Sequence, residues 1–279
     1  MADRTNLKET GAAVRRRRRF DGWTLLAWIA GGAVYLFLVV PVLVIILSAF
    51  SPNPYPEFPP TEFSLRWFRE VFQSEPWMRA IGFSLWLMVI VTVLTVVLGT
   101  TAAYGISRLE FRGKQALLSF MLSPLMIPQV VMGIALLYIF TAMGIIRTMA
   151  GLVIGHIIVS FPYVIRTVGV SLSNLDPKLE RASMNLGAGP VQTFFRITLP
   201  LIRPGIVAGG VFSAVTSFGE VSISLFVVSP SNMTVPVRIF NYIDQTFDPS
   251  VNAISVIFIA VAVLALIIIE RTIGLTKVM

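Results

Sequence analysis

Apolar residues gather into six long runs, at 23–50, 80–104, 116–143, 151–170, 205–228 and 251–269, separated by polar segments. Each is close to or above the roughly 20 residues a helix needs to cross a bilayer core. The pattern predicts an all-α membrane protein with six transmembrane helices. Pro124 and Pro128 are expected to kink the third run, and Pro41 and Pro162 to bend the first and fourth. Membrane helices tolerate such bends where neighbours or water satisfy the freed carbonyls. After the first run, 51–63 is proline-rich and suits neither a regular helix nor a central strand. The next segment, 65–72, puts Leu65, Phe68 and Phe72 on one side and Arg66, Arg69 and Glu70 on others. It predicts an amphipathic helix at the outer membrane face, capping the bundle or helping to dock a partner.

The longest polar interruption, 174–205, reads as two short helices hinged at glycine. Asp176 is placed to cap the first, and Pro177 suits a first turn that needs no amide donor. Leu179, Ala182, Ser183 and Leu186 recur at helical spacing as a small or apolar face, with Lys178, Arg181 and Asn185 opposite. Gly187 and Gly189 end that helix, Pro190 starts another, and Pro200 and Pro204 stop it. An ordered amphipathic hairpin outside the bilayer points to a surface that another protein grips.

Composition narrows the class. A chain that is 56% hydrophobic and 13% charged lies outside the globular range. It has no cysteine and one histidine, which excludes thiolate and His-rich metal centres. The net charge of +8 is spread between apolar runs rather than along one face, so nucleic acid is not the implied partner. Its distribution sets orientation instead. With the N-terminus inside, sixteen of the 22 Lys and Arg fall on the cytoplasmic side, among them Arg15 to Arg19, Arg108, Arg112, Lys114, Lys178, Arg181 and Arg203. Five face out: Arg66, Arg69, Arg79, Arg147 and Arg238. Arg166 lies within the fourth run. Both termini and the 174–205 hairpin are therefore expected in the cytoplasm. The first run is too long for a cleaved signal peptide.

The run RASMNLGAGPVQTFFRITLP resembles the cytoplasmic EAA loop of permease subunits of binding-protein-dependent ABC importers. Gly187, Ile197, Leu199 and Pro200 stand at that motif's spacings, with Ala182 and Ser183 in its two Ala positions. Its Glu position is taken by Arg181, with Glu180 one residue earlier. The resemblance implies the type I (MetI-like) permease fold. It divides the chain into a basic tail 1–22, a first span 23–50, a periplasmic loop 51–79, a permease core 80–270 with the coupling loop 174–205, and a tail 271–279. Coupling to an ATPase would fall to Asp176, Glu180, Arg181, Ala182, Ser183, Gly187, Ala188, Phe194, Phe195 and Ile197. The loop 229–250, with Arg238, Asp244 and Asp248, would contribute to the external gate and docking surface.

Glu220 is the one carboxylate well inside a run. Placing such a group at a helix centre costs about 2.5–3.5 kcal/mol or more, so it asks for a reason. Thr216, Ser217, Ser222 and Ser224 surround it, and Gly219 permits close approach. It is read either as lining a cavity for an amine-bearing solute or as a bonded strut between helices. SFGEVSISLFVVSPS also resembles the fifth-span segment of polyamine permeases, with only the second of two acidic positions filled. The expected pathway is thus Glu220, Ser217, Ser222 and Ser224, with Gln129 after Pro128. His156 is read as a buried hydrogen-bonding partner, and Arg166 as reaching toward the cytoplasmic interface.

No Gly-rich phosphate loop ending in Lys-Ser or Lys-Thr is present. The expectation is a transport subunit of the bacterial inner membrane without its own ATPase site, cofactor or metal. The resemblance implies two ATP-binding partner subunits holding ATP and Mg, a second homologous permease completing a heterodimeric pore, and a periplasmic solute-binding protein. The solute is expected to be a polyamine or another small amine such as 4-aminobutyrate; importers of aminophosphonate, thiamine and ferric ion share the pattern. The rival is a proton- or ion-coupled secondary transporter using Glu220, a class that usually shows two related halves.

Overall fold

The computed structural model describes residues 22–55, 58–245 and 249–273. Arg15 to Arg19 and Asp248, which enter the charge and loop readings, and the tail from 274 on lie outside the described residues. The helices in order are α1 (Gly22–Ser48), α2 (Arg66–Gln73), α3 (Glu75–Arg108), α4 (Lys114–Leu122), α5 (Gln129–Ala142), α6 (Met149–Ser173) and α7 (Pro177–Asn185). There follow α8 (Pro190–Thr193), α9 (Leu199–Leu201), α10 (Arg203–Phe218), α11 (Ser224–Val227), α12 (Val235–Gln245) and α13 (Ser250–Ile273). No strand occurs among the described residues. Helix α1 is apolar along its whole length and runs through Pro41.

Among the described residues four stretches are long and apolar enough to cross a membrane alone: Leu25–Ser48, Glu75–Arg108, Met149–Ser173 and Ser250–Ile268. Six spans result only when two bent pairs are each counted as one. Lys114–Leu125 and Gln129–Ala142 meet at 106°, and Pro190–Leu201 and Arg203–Phe218 at 70°. The third run is therefore broken rather than kinked. Pro124 enters a 3-10 turn over Ser123–Leu125, and extended Pro128 precedes α5. The fifth run, expected as one helix over 205–228, stops at Phe218 and resumes as the single turn α11. By contrast, α6 continues through Pro162.

Helices α3, α6 and α10 form the centre of the described bundle, with Ala103, Val164, Val168, Leu172 and Ile202 buried among them. Gly205 and Gly209 let α10 lie against α6 at backbone distance. A Cβ on Gly209 would stand 2.7 Å from Thr167 Oγ1 and 3.1 Å from Val164 Cα. One on Gly205 would stand 2.6 Å from the Thr167 carbonyl oxygen. Small residues one turn apart serve membrane helices this way because close packing, not water exclusion, drives their association. Gly209→Val is therefore expected to destabilise the protein by about 1–3 kcal/mol. An unchanged melting midpoint in detergent would remove this contact from the core.

Helix α2 packs across one end of the bundle. It buries Trp67 and Val71 against Trp77, Ile81, Val235 and Ile254 of α3, α12 and α13. The Trp67 indole N–H donates to the Ser51 carbonyl at 2.9 Å, and Arg66 lies over the same ring. Leu65 and Phe72, expected on the apolar side of a helix at the membrane face, are not covered by protein. Hydropathy does not distinguish a face turned to lipid from one turned to protein.

Candidate functional site

The hairpin after α6 is built by local rules. The Asp176 carboxylate accepts from the Lys178 amide at 2.9 Å, and Pro177 begins α7. The helix ends at Gly187, whose φ of +92° is left-handed and favours glycine. Gly187 N–H donates to the Met184 carbonyl at 3.0 Å, and Ala188 N–H to the Ser183 carbonyl at 3.2 Å. This paired closure satisfies carbonyls the helix end would leave open. Ser183 and Thr193 hydroxyls lie 3.1 Å apart and tie the two arms.

Glu180 turns inward. Its Oε2 lies 2.7 Å from Arg108 Nε at the end of α3, a charge contact with the N–H off the line of a hydrogen bond. Its Oε1 accepts from the Thr198 hydroxyl at 2.6 Å. Thr198 reaches it from a π-helical stretch, Phe194–Thr198, where Leu199 N–H bonds back to the Phe194 carbonyl. Pro200 has no amide to give the Arg196 carbonyl, which accounts for a widened turn here. The same stretch sets Phe194 edge-on against Tyr104 at 4.8 Å.

The outside of the hairpin is mixed, with Lys178, Asn185, Gln192 and Arg196 exposed, and it carries several large uncovered apolar side chains. Leu179, Met184, Leu186, Val191 and Phe195 are exposed, Leu186 by 90%. Arg181, Ala182 and Asp176 are exposed beside them, whereas Ser183, Ala188, Phe194 and Ile197 are half-buried. Of the residues expected to meet an ATPase, Glu180 is thus occupied within its own chain. Arg108, Thr198 and Tyr104 are site residues that sequence reasoning left out.

The second cluster sits at the break in the fifth run, about 24 Å along α10 from the hairpin end. Glu220 is buried. Its Oε1 accepts from Ile223 N–H at 2.8 Å, and its Oε2 from Ser224 N–H at 2.8 Å and Ser224 Oγ at 2.7 Å. The carboxylate thereby caps α11. His156 of α6 bridges the break, with Nδ1 3.0 Å from Ser217 Oγ and Nε2 2.9 Å from Ser224 Oγ. Since Ser224 donates its hydroxyl proton to Glu220, it accepts from His156 Nε2–H. In a neutral ring Nδ1 then accepts from Ser217.

Three of the five expected pathway residues, Ser217, Glu220 and Ser224, therefore come together with His156 in a closed network. Ser222 is half-buried with its carbonyl against Gly133 of α5, where a Cβ would stand 2.9 Å away. Gln129 is exposed one turn earlier on α5, outside the network. Arg166 stands exposed in an open cleft of about 580 Å³ between α6 and α10, beside Tyr163, Thr167 and Phe212.

Residues 95–273 match the family described as the inner membrane component of binding-protein-dependent transport systems. The chain belongs to this family. It is 30% identical over 240 residues to the spermidine/putrescine permease PotC of Haemophilus influenzae, covering 86% of this chain and 93% of that one. It is 29% identical over 244 residues to the putrescine permease PotI of Escherichia coli, covering 85% of each. The trehalose permease SugB of Mycobacterium tuberculosis is 29% identical over 270 residues, covering 93% of this chain and 97% of that one. Among solved structures, a chain of a bacterial alginate ABC importer aligns with a TM-score of 0.71 at 12% identity, covering 90% of this chain and 95% of that one. One of the MetNI methionine transporter aligns with a TM-score of 0.56 at 18% identity, covering 72% and 98%. The fold is the MetI-like fold of ABC importer permeases. In this permease both the hairpin and the Glu220 break fall inside the matched region.

Proposed function

We propose that the chain is one membrane subunit of an ATP-driven importer, whose 174–205 hairpin docks on a separate ATPase subunit in the cytoplasm. A periplasmic binding protein delivers the solute, a second permease completes the pore, and two ATPase subunits holding ATP and Mg close in turn. Both termini lie in the cytoplasm, and the chain itself binds no cofactor. What carries this reading is the hairpin's two-sidedness. Its acid is locked inward by Arg108 and Thr198, while Leu186, Val191 and Phe195 stand uncovered. The second permease draws support from Arg166, since an exposed guanidinium on a membrane helix is unsuited to lipid. A small amine-bearing solute is supported by likeness to permeases named for spermidine and putrescine. The carrier alternative loses its chief support, because both oxygens of Glu220 are bonded within the chain.

The chain contains no cysteine, so Leu186→Cys creates its only thiol. A thiol-directed photo-crosslinker there is expected to label the ATPase subunit in membranes. Leu186→Asp is expected to weaken co-purification of that subunit roughly ten- to a hundredfold, the worth of one fully buried leucine at about 1.5–3 kcal/mol. Labelling from outside the cell, or undiminished co-purification, would sink the assignment.

A further inference from the structure

We propose that the pocket between the first turns of α3 and the start of α12 receives an acidic side chain of the solute-binding protein. This rests on the importer reading above. Arg79 and Arg238 face one cavity of about 150 Å³, walled by Phe83, Pro230, Ser231 and Met233. Both arginines come from the outward-facing set that the charge pattern predicts.

Arg238 is a positioned group rather than a waving surface charge. Its guanidinium lies 5.3 Å from the ring centre of Trp77, and that ring is buried and packed edge-on against Tyr242. Burial, then the nearby charge of Arg79, holds the Arg238 pKa below its ordinary value. Among the described residues no carboxylate pairs with Arg238. Arg79 has only Glu75, one turn away on its own helix at 3.5 Å and largely exposed like itself. Such an intrahelical contact is worth a few tenths of a kcal/mol. The pocket therefore carries two guanidiniums and at most one loosely held counter-charge.

Size and sign select the occupant. Sites for whole small molecules usually measure about 300–1,000 Å³, well above this cavity. A single carboxylate side chain fits. A cationic amine is repelled by two arginines, so the solute itself is the wrong guest. Location selects the partner. Arg79 and Arg108 share one helix and stand about 44 Å apart at 1.5 Å per residue. Arg108 holds the hairpin proposed to meet the ATPase, so the pocket opens at the far end, where a binding protein arrives. Complementary charge at such a contact sets register and speeds encounter.

The test titrates the assembled complex in proteoliposomes with its binding protein and reads ATPase stimulation. Arg79→Glu, an exposed position, is expected to raise the half-saturating concentration about tenfold and to invert its dependence on salt. Arg79→Lys should shift it little. Arg238→Glu should do more than Arg79→Glu, with assembly checked by co-purification of the ATPase subunits. If Arg238→Glu does not assemble, the Arg79 pair still decides. An unchanged half-saturating concentration in Arg79→Glu would overturn the pocket. So would a changed solute KM at saturating binding protein with no change in the binding protein's own titration. A wild-type complex indifferent to binding protein would overturn the importer reading, and the pocket with it.

Discussion

Replacing Glu180 with alanine is expected to destabilise the coupling hairpin by about 3–5 kcal/mol, the usual consequence of removing one partner of a buried ion pair. Arg108 would keep its charge in a site that is mostly covered, and the Thr198 hydroxyl would lose its acceptor. The effect is asymmetric, and that makes it diagnostic. Glu180→Ala combined with Arg108→Leu should recover much of the loss, because replacing both partners leaves no stranded charge. Hydrogen exchange of 177–198 would report local opening, and uptake per ATP hydrolysed would report coupling. The hairpin is tied to the end of a helix of 34 residues, so under the proposed function this pair is where displacement of α7 would be passed to α3. Equal exchange in wild type and Glu180→Ala would mean that the pair contributes nothing to holding the hairpin.

The bundle was largely legible, because membrane-length apolar runs leave helices as the chain's only economical choice. The hairpin's ends were legible too: Asp176, Pro177 and Gly187 act through their own neighbours, and local rules read local effects. The direction of Glu180 was not. Its neighbours on a nine-residue helix do not say which side is covered, and Arg108 reaches it from another part of the chain. Thr198 is aligned only because Pro200 widens the turn before it. Around Glu220 the residues were visible but the way they bond to one another was not. A carboxylate followed by Val-Ser-Ile-Ser was read as lining a cavity or as a strut bonded to another helix, yet a side chain three and four residues ahead of two free amides is also a helix cap. His156, set aside as a structural hydrogen-bonding residue, proves to be what joins the two ends of the break.

Glu220→Leu is expected to have the largest effect in the membrane-embedded part of the chain. It would strand the amides of Ile223 and Ser224 and remove the acceptor of the Ser224 hydroxyl. Each buried donor left unmet costs roughly 1–3 kcal/mol, so α11 should unravel and His156 lose its anchor on that side. Glu220→Gln separates a cap from a solute contact. The amide keeps one oxygen but turns an N–H₂ toward groups that are themselves donors, so at least one of the three bonds fails. A cap therefore predicts a lower melting midpoint and lower yield for Glu220→Gln, with solute KM unchanged in whatever complex survives. A group touching a cationic solute predicts the reverse: intact stability and a raised KM. Ser224→Ala gives a second reading of the same point, since it removes a donor to Glu220 and the link to His156 while leaving the carboxylate in place. If Ser224→Ala and Glu220→Gln both melt with wild type while uptake of putrescine falls, the network is not what holds the broken span, and the carboxylate belongs to the pathway.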